Sequence, residues 1–136
     1  MSTHSDFTGT WRADLGASRL RGPTPSEITA AVIHADPELR VTMTIRTPNA
    51  ADSQIAFDVC AIGGPRRNTV LGAEWVSSSR WVGTELLIES EVSHAGRQMH
   101  FCDYWSISDD GRRLTMEHRE DDLHGQITVF DRIDGQ

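Results

Sequence analysis

The stretch Trp75-Val76-Ser77-Ser78-Ser79-Arg80-Trp81, continued by Leu86-Leu87-Ile88-Glu89-Ser90-Glu91-Val92, changes character residue by residue. Successive strand residues point to opposite sides of a sheet, so a period of two reads as antiparallel β-structure. The pattern runs on to Glu120 and gives four strands joined by short turns. With the phase kept through every turn, one face carries Trp75, Ser77, Ser79 and Trp81, then Leu86, Ile88, Ser90 and Val92. It continues with Met99, Phe101, Asp103 and Trp105, then Leu114, Met116, His118 and Glu120. A register that gathers the tryptophans therefore forces Ser, Asp, His and Glu to the same side. The opposite face is mostly polar or charged, with Ser78, Arg80, Glu89, Glu91, His100, Arg113, Glu117 and Arg119. That is the composition of an outer wall in water. A solid core has no use for inward polar groups; a barrel that holds a small polar-apolar molecule does.

Working outward, strand signals dominate the rest of the chain. Phe7 to Leu15 alternates and predicts a first strand. Pro23 and Pro25 exclude a central strand over Arg21–Ser26. Ser26 to Ala35 predicts a second strand, with a short helix open as an alternative around Ala30 and Ala31. Asp36-Pro37-Glu38 reads as a turn, Leu39 to Arg46 as a half-buried strand, and Ile55 to Ala61 as the next. Gly63 to Asn68 reads as a turn before a short strand at Thr69–Leu71. Hairpin turns are expected at Val82-Gly83-Thr84, Ala95-Gly96, Ser108–Gly111 and Leu123-His124-Gly125, with a last strand from Gln126 to Ile133. The sum is an all-β chain, a single up-and-down antiparallel barrel of about eight to ten strands over residues 1–136, since closure removes exposed sheet edges.

Composition narrows the function. The 136 residues carry a formal net charge of −7, which argues against nucleic acid and anionic membrane as partners. No segment approaches the roughly 18 consecutive apolar residues of a membrane span. The opening Met1–Asp6 lacks the basic and apolar regions of a signal peptide, which predicts a cytoplasmic protein. Cys60 and Cys102 fall in the outward phase of their strands and are expected outside any disulfide. The six histidines fall in different phases and elements, so no metal site and no cofactor are expected. His118 is the best-placed residue were haem to bind, though no spacing favours it. No phosphate loop or nucleophile elbow occurs.

Phe7-Thr8-Gly9-Thr10-Trp11 resembles the Gly-x-Trp signature of lipocalins and the wider calycin group. Ser18, the Gly22-Pro23 stretch, the hairpin from Trp105 to Leu114 and the closing Phe130-Asp131-Arg132 resemble small bacterial lipocalin-like domains. The resemblance implies that Trp11 closes one end of the barrel and that Arg132 packs over its ring, with Gly9 structural. It also implies either a carrier or an enzyme. Two features depart from the family: the disulfide of secreted lipocalins is missing, and a Pro-rich segment replaces the long N-terminal loop.

The candidate site follows from the inward polar groups. Pairing Trp105 with Leu114 across the Ser108–Gly111 loop sets Asp103 opposite Met116 and diagonal to His118, within reach of long side chains or one water. A carboxylate among Phe101, Trp105 and Met116 is costly to keep charged unless paired, and an imidazole is a natural partner. Such a pair is an acid–base unit. Asp103 bonded to backbone amides at a barrel end, with His118 a satisfied interior histidine, fits the same pattern. Ser77, Ser79 and Ser90 supply hydroxyls without filling space, unless a bulge turns the serine run outward. Trp75, Trp81, Ser77, Ser79, Ser90, Met99, Phe101, Trp105, Met116 and Glu120 are thus expected to line a binding cavity, with Asp103 and His118 as the reactive pair. The expected function is binding of a small apolar molecule with a polar end. The alternative is a cofactor-independent cyclase or isomerase in the same cavity. Outward Leu87, Tyr104 and Phe130 would mark a homodimer contact.

Overall fold

The computed structural model describes residues 6–20, 25–35, 38–60, 63–70, 72–120 and 123–133. Ten strands form in chain order: β1 (Gly9–Ala13), β2 (Glu27–Ala35), β3 (Glu38–Arg46), β4 (Ser53–Cys60) and β5 (Gly63–Val70). There follow β6 (Ala73–Val82), β7 (Glu85–His94), β8 (Arg97–Ile107), β9 (Arg113–Glu120) and β10 (Leu123–Arg132). All pairs are antiparallel, in the sheet order β4-β3-β2-β1-β10-β9-β8-β7-β6-β5. The sheet curls into a nearly closed barrel, and the described residues contain no helix. Ala30 and Ala31, where a short helix was also open, lie in β2, opposite Met43 and Thr42.

The edges β4 and β5 meet through side chains. Asp58 donates its backbone N–H to Asn68 Oδ1 at 3.0 Å, and Asn68 Nδ2 donates to the Asp58 carbonyl at 2.8 Å. The Asn68 amide thus does what a ladder residue does elsewhere. Arg66 ties the same seam from outside, reaching Glu38 at 2.9 and 2.6 Å and Asp58 at 2.7 Å. Its guanidinium, chiefly by hydrogen bonding, holds the Glu38 carboxyl below its usual range.

Trp11 anchors a packed part of the core. It is fully buried, its Nε1 donates to the Phe7 carbonyl at 3.1 Å, and the Arg132 guanidinium lies 4.3 Å from its ring centre. Cation–π attraction of that kind is worth about 0.5–2 kcal/mol. Arg132 also donates to the carbonyls of Gly111 and Thr8, at 2.9 and 2.8 Å. Phe7, His34 and Trp81 cluster ring against ring, with centroids 5.6, 5.9 and 6.0 Å apart, and Phe7 meets the edge of Trp105. Leu39, Val41, Leu86 and Leu114 complete this packed end. Ser18 anchors the chain after β1: its hydroxyl donates to the Asp14 carbonyl and accepts from Val129 N–H.

Several local expectations change. Gly63 to Asn68 is strand rather than turn: Arg66, Arg67 and Asn68 pair with Ser77, Val76 and Trp75. A register shift between Gly63 and Arg66 accommodates Pro65, the residue that cannot serve a regular ladder. Leu123 already pairs with Glu120, so the expected turn at Leu123-His124-Gly125 is instead the bulged start of β10. Gly125 is needed there, because a Cβ would lie 2.9 Å from the His118 carbonyl oxygen. Phe130 faces inward, 1% exposed, since it pairs with inward Leu114; it cannot mark a dimer contact. The serine run holds its phase, with Ser77 and Ser79 buried and Ser78 exposed. Gly22-Pro23, Asp36-Pro37, Ala61 and Leu71 lie outside the described residues.

Candidate functional site

The β8–β9 hairpin positions the chemistry. The Ser108 amide bonds the Arg113 carbonyl at 2.8 Å, which extends the ladder to the pair Ile107–Leu114. Trp105 therefore faces Met116 and Phe101 faces Glu120, a shift of two residues from the expected register. The consequence is large. Asp103 and His118 become direct cross-strand partners, and Asp103 Oδ1 lies 2.7 Å from His118 Nδ1.

Burial alone would push the His118 pKa down. The Asp103 hydrogen bond and charge, with the Glu120 carboxylate 3.6 Å from Nε2, outweigh it and raise the pKa above 6.5. Phe101 sets its ring edge-on to the imidazole at 4.8 Å and tilts against Trp75 at 5.3 Å. The bulge before Gln126, the β10 partner of His118, lets the β10 backbone approach His118 closely.

The pair sits in the wall of a cavity of about 310 Å3. Trp75, Ser77, Ser90, Trp105 and Met116 line it along with Asp103 and His118, as do Ile88 of β7 and Gln126, Thr128 and Phe130 of β10. The far wall is Met43 and Ile45 of β3, Ile55, Phe57 and Val59 of β4, and Asn68 and Val70 of β5, with Ile28 of β2 beneath. Ser77 and Ser90 hydroxyls bond each other at 2.8 Å, which satisfies two buried polar groups without occupying the space. Trp75 Nε1 and Ser79 Oγ are buried with no hydrogen-bond partner among the described residues.

Ser79, Trp81, Met99, Phe101 and Glu120 do not line this space. Ser79 and Trp81 continue β6 toward the packed end, where Trp81 stacks on Phe7. Phe101 stands behind His118, and Glu120 flanks the imidazole. The β3, β4 and β5 lining had no earlier mark as a site. Its alternation showed an inward phase, but only closure brings it opposite β8 and β9. Asn68 was hidden in a stretch that reads as a turn.

On the outer wall, Glu89 pairs with Cys102, and His100 lies two residues before it. One ligand atom of each falls within 4.8 Å of the others, although Arg80 also bonds Glu89 at 3.1 Å. Cys60 and Cys102 form no disulfide.

No protein-family model matches the chain, and no curated protein is significantly similar to it in sequence. Solved structures do resemble it. Secretory abundant heat soluble protein 4 from Ramazzottius varieornatus aligns over 98% of this chain and 99% of its own, with TM-score 0.68 and 10% identity. A structure described as the REP1-NXSQ fatty acid transporter aligns over 95% and 97%, with TM-score 0.65 and 12% identity. The likeness is one of fold. It extends over nearly the full length of each chain. No helix among the described residues is long and apolar enough to cross a membrane.

Proposed function

We propose that this chain binds a small, largely apolar molecule with one polar end inside its barrel. The observation that carries the reading is a mainly apolar cavity of about 310 Å3 with the bonded Asp103–His118 pair in its wall. That volume lies at the lower end of ligand pockets, roughly 300–1,000 Å3. It suits a single chain or ring system rather than a two-chain lipid. Apolar surface buried there contributes about 25 cal/mol per Å2, and the polar groups set orientation. A fold neighbour described as a fatty acid transporter supports the same use of the architecture. Gly9, Trp11 and Arg132, disposed as the lipocalin resemblance implies, support a calycin relationship and one domain over residues 1–136.

Native mass spectrometry of gently purified protein tests the reading, alongside uptake of the neutral dye Nile red. A co-purifying small mass, or saturable dye uptake displaced by decanol, is the expected result. Neither adduct nor saturable uptake would overturn it.

One observation favours a second reading. His118 and Asp103 are bonded at 2.7 Å, and the neighbouring carboxylates make the imidazole easier to protonate than usual, which supports a role as proton donor. A cofactor-independent cyclase or isomerase needs such a group. Asp103→Asn and His118→Ala variants that bind the co-purified compound normally yet stop converting it would establish that reading over simple carriage.

A further inference from the structure

Resting on the binding reading above, we infer that the polar end of the ligand is an ammonium group, seated against Asp103 and bordered by the Trp75 and Trp105 rings. Three observations converge on this. The first is charge. Asp103 and Glu120 flank His118, so the three groups sum to −1 even with the imidazole protonated. An incoming carboxylate makes that −2 beside an apolar wall, whereas an ammonium makes it zero.

The second is that no guanidinium borders the cavity among its described lining residues. The chain has 13 Lys and Arg residues in all, every one of them Arg, and none is among the described residues lining the cavity. Carboxylate recognition relies on a guanidinium fork or a comparable set of donors.

The third is the presence of acceptors and π-faces. Asp103 spends Oδ1 on His118, while Oδ2 takes no hydrogen bond from the described residues. Trp75, Trp105, Phe57 and Phe130 all contribute to the wall, and aromatic faces attract cations that have left water. A buried ammonium costs heavily unless paired and hydrogen-bonded, and here both forms of compensation are at hand.

The test is isothermal titration of the full chain with decylamine, decanol and decanoate at neutral pH and low salt. The amine is expected to bind on the order of tenfold or more tighter than the carboxylate, with the alcohol between them. Asp103→Asn should weaken the amine by about tenfold and decanol by clearly less, since the alcohol brings no charge to the carboxylate. Decanoate binding as tightly as decylamine would overturn the inference while leaving the cavity reading in place. Equal amine affinity in the wild type and in Asp103→Asn would also overturn it. If none of the three binds, the cavity reading itself fails. The wild-type ranking decides the matter even if Asp103→Asn does not fold.

Discussion

Leu86 and Ser90 stand on the same face of the same strand, β7, and both are buried. Leu86 belongs to a packed cluster with Phe7, Trp11, Leu39, Val41 and Leu114. Ser90 borders open space and bonds only a second small hydroxyl, that of Ser77. The contrast repeats on neighbouring strands. On β9 Leu114 is in the packed end and His118 in the hollow one; on β6 Trp81 lies in the stack and Ser77 in the cavity wall. Along β7 and β9 the interior thus passes from close-packed apolar side chains to smaller or polar ones. Large residues at one end supply the burial that makes the fold stable. Small and polar residues at the other leave the volume a ligand needs.

The comparison breaks most visibly at the packed end. Trp11→Ala removes a fully buried indole together with the platform for Arg132, and should destabilise the fold by about 3–5 kcal/mol. Urea unfolding followed by fluorescence or circular dichroism measures it, and a loss below about 1 kcal/mol would show that this end is not the stabilising one.

The opposite change at the hollow end should barely affect stability. Ser90→Leu extends into open space, gaining apolar contact while orphaning the Ser77 hydroxyl. These effects offset, so stability should move by no more than about 1 kcal/mol. Binding should suffer instead, with decanol affinity falling by about tenfold or more as the volume fills. Unchanged affinity would mean that ligands occupy some other place.

The smallest effect concerns pH. The folded pKa of His118 lies above 6.5, so its pairing stabilises the fold fully below that value and is lost as pH rises through the folded pKa. The stability difference between wild type and Asp103→Asn should therefore shrink on going from mildly acidic to alkaline solution. Imidazole resonances followed by NMR should titrate above 6.5 in the wild type and lower in Asp103→Asn. A wild-type midpoint below 6.5 would show that burial outweighs the two carboxylates.

Much of this division was legible in residue order. The inward face from Trp75 to Glu120 could be read because hairpin turns preserve phase, and alternation is a local property. The Trp11–Arg132 contact was legible only through a family resemblance, because no local pattern links residues so distant in the chain. The Asp103–His118 bond was half legible. Both residues shared a face, but their register depended on how far the ladder runs past Trp105, which the Ser108–Arg113 bond decides. Phe130 and the strand over Gly63–Asn68 were misread for a related reason. A bulge changes pairing without leaving an unambiguous mark in a single sequence.

The amino-acid order by itself determined the β character, the inward phase of the central strands, the acidity and the lack of lysine, all of which follow from each residue and its near neighbours. Tertiary structure alone decided which inward groups meet. Closing the sheet across the Asn68–Asp58 seam sets the apolar β3 and β4 side chains opposite Asp103 and His118. The enclosed space exists because small residues from β6 and β7 come together at the same height. Coincidence of height is a property of register and curvature, and those are settled only when distant strands pair.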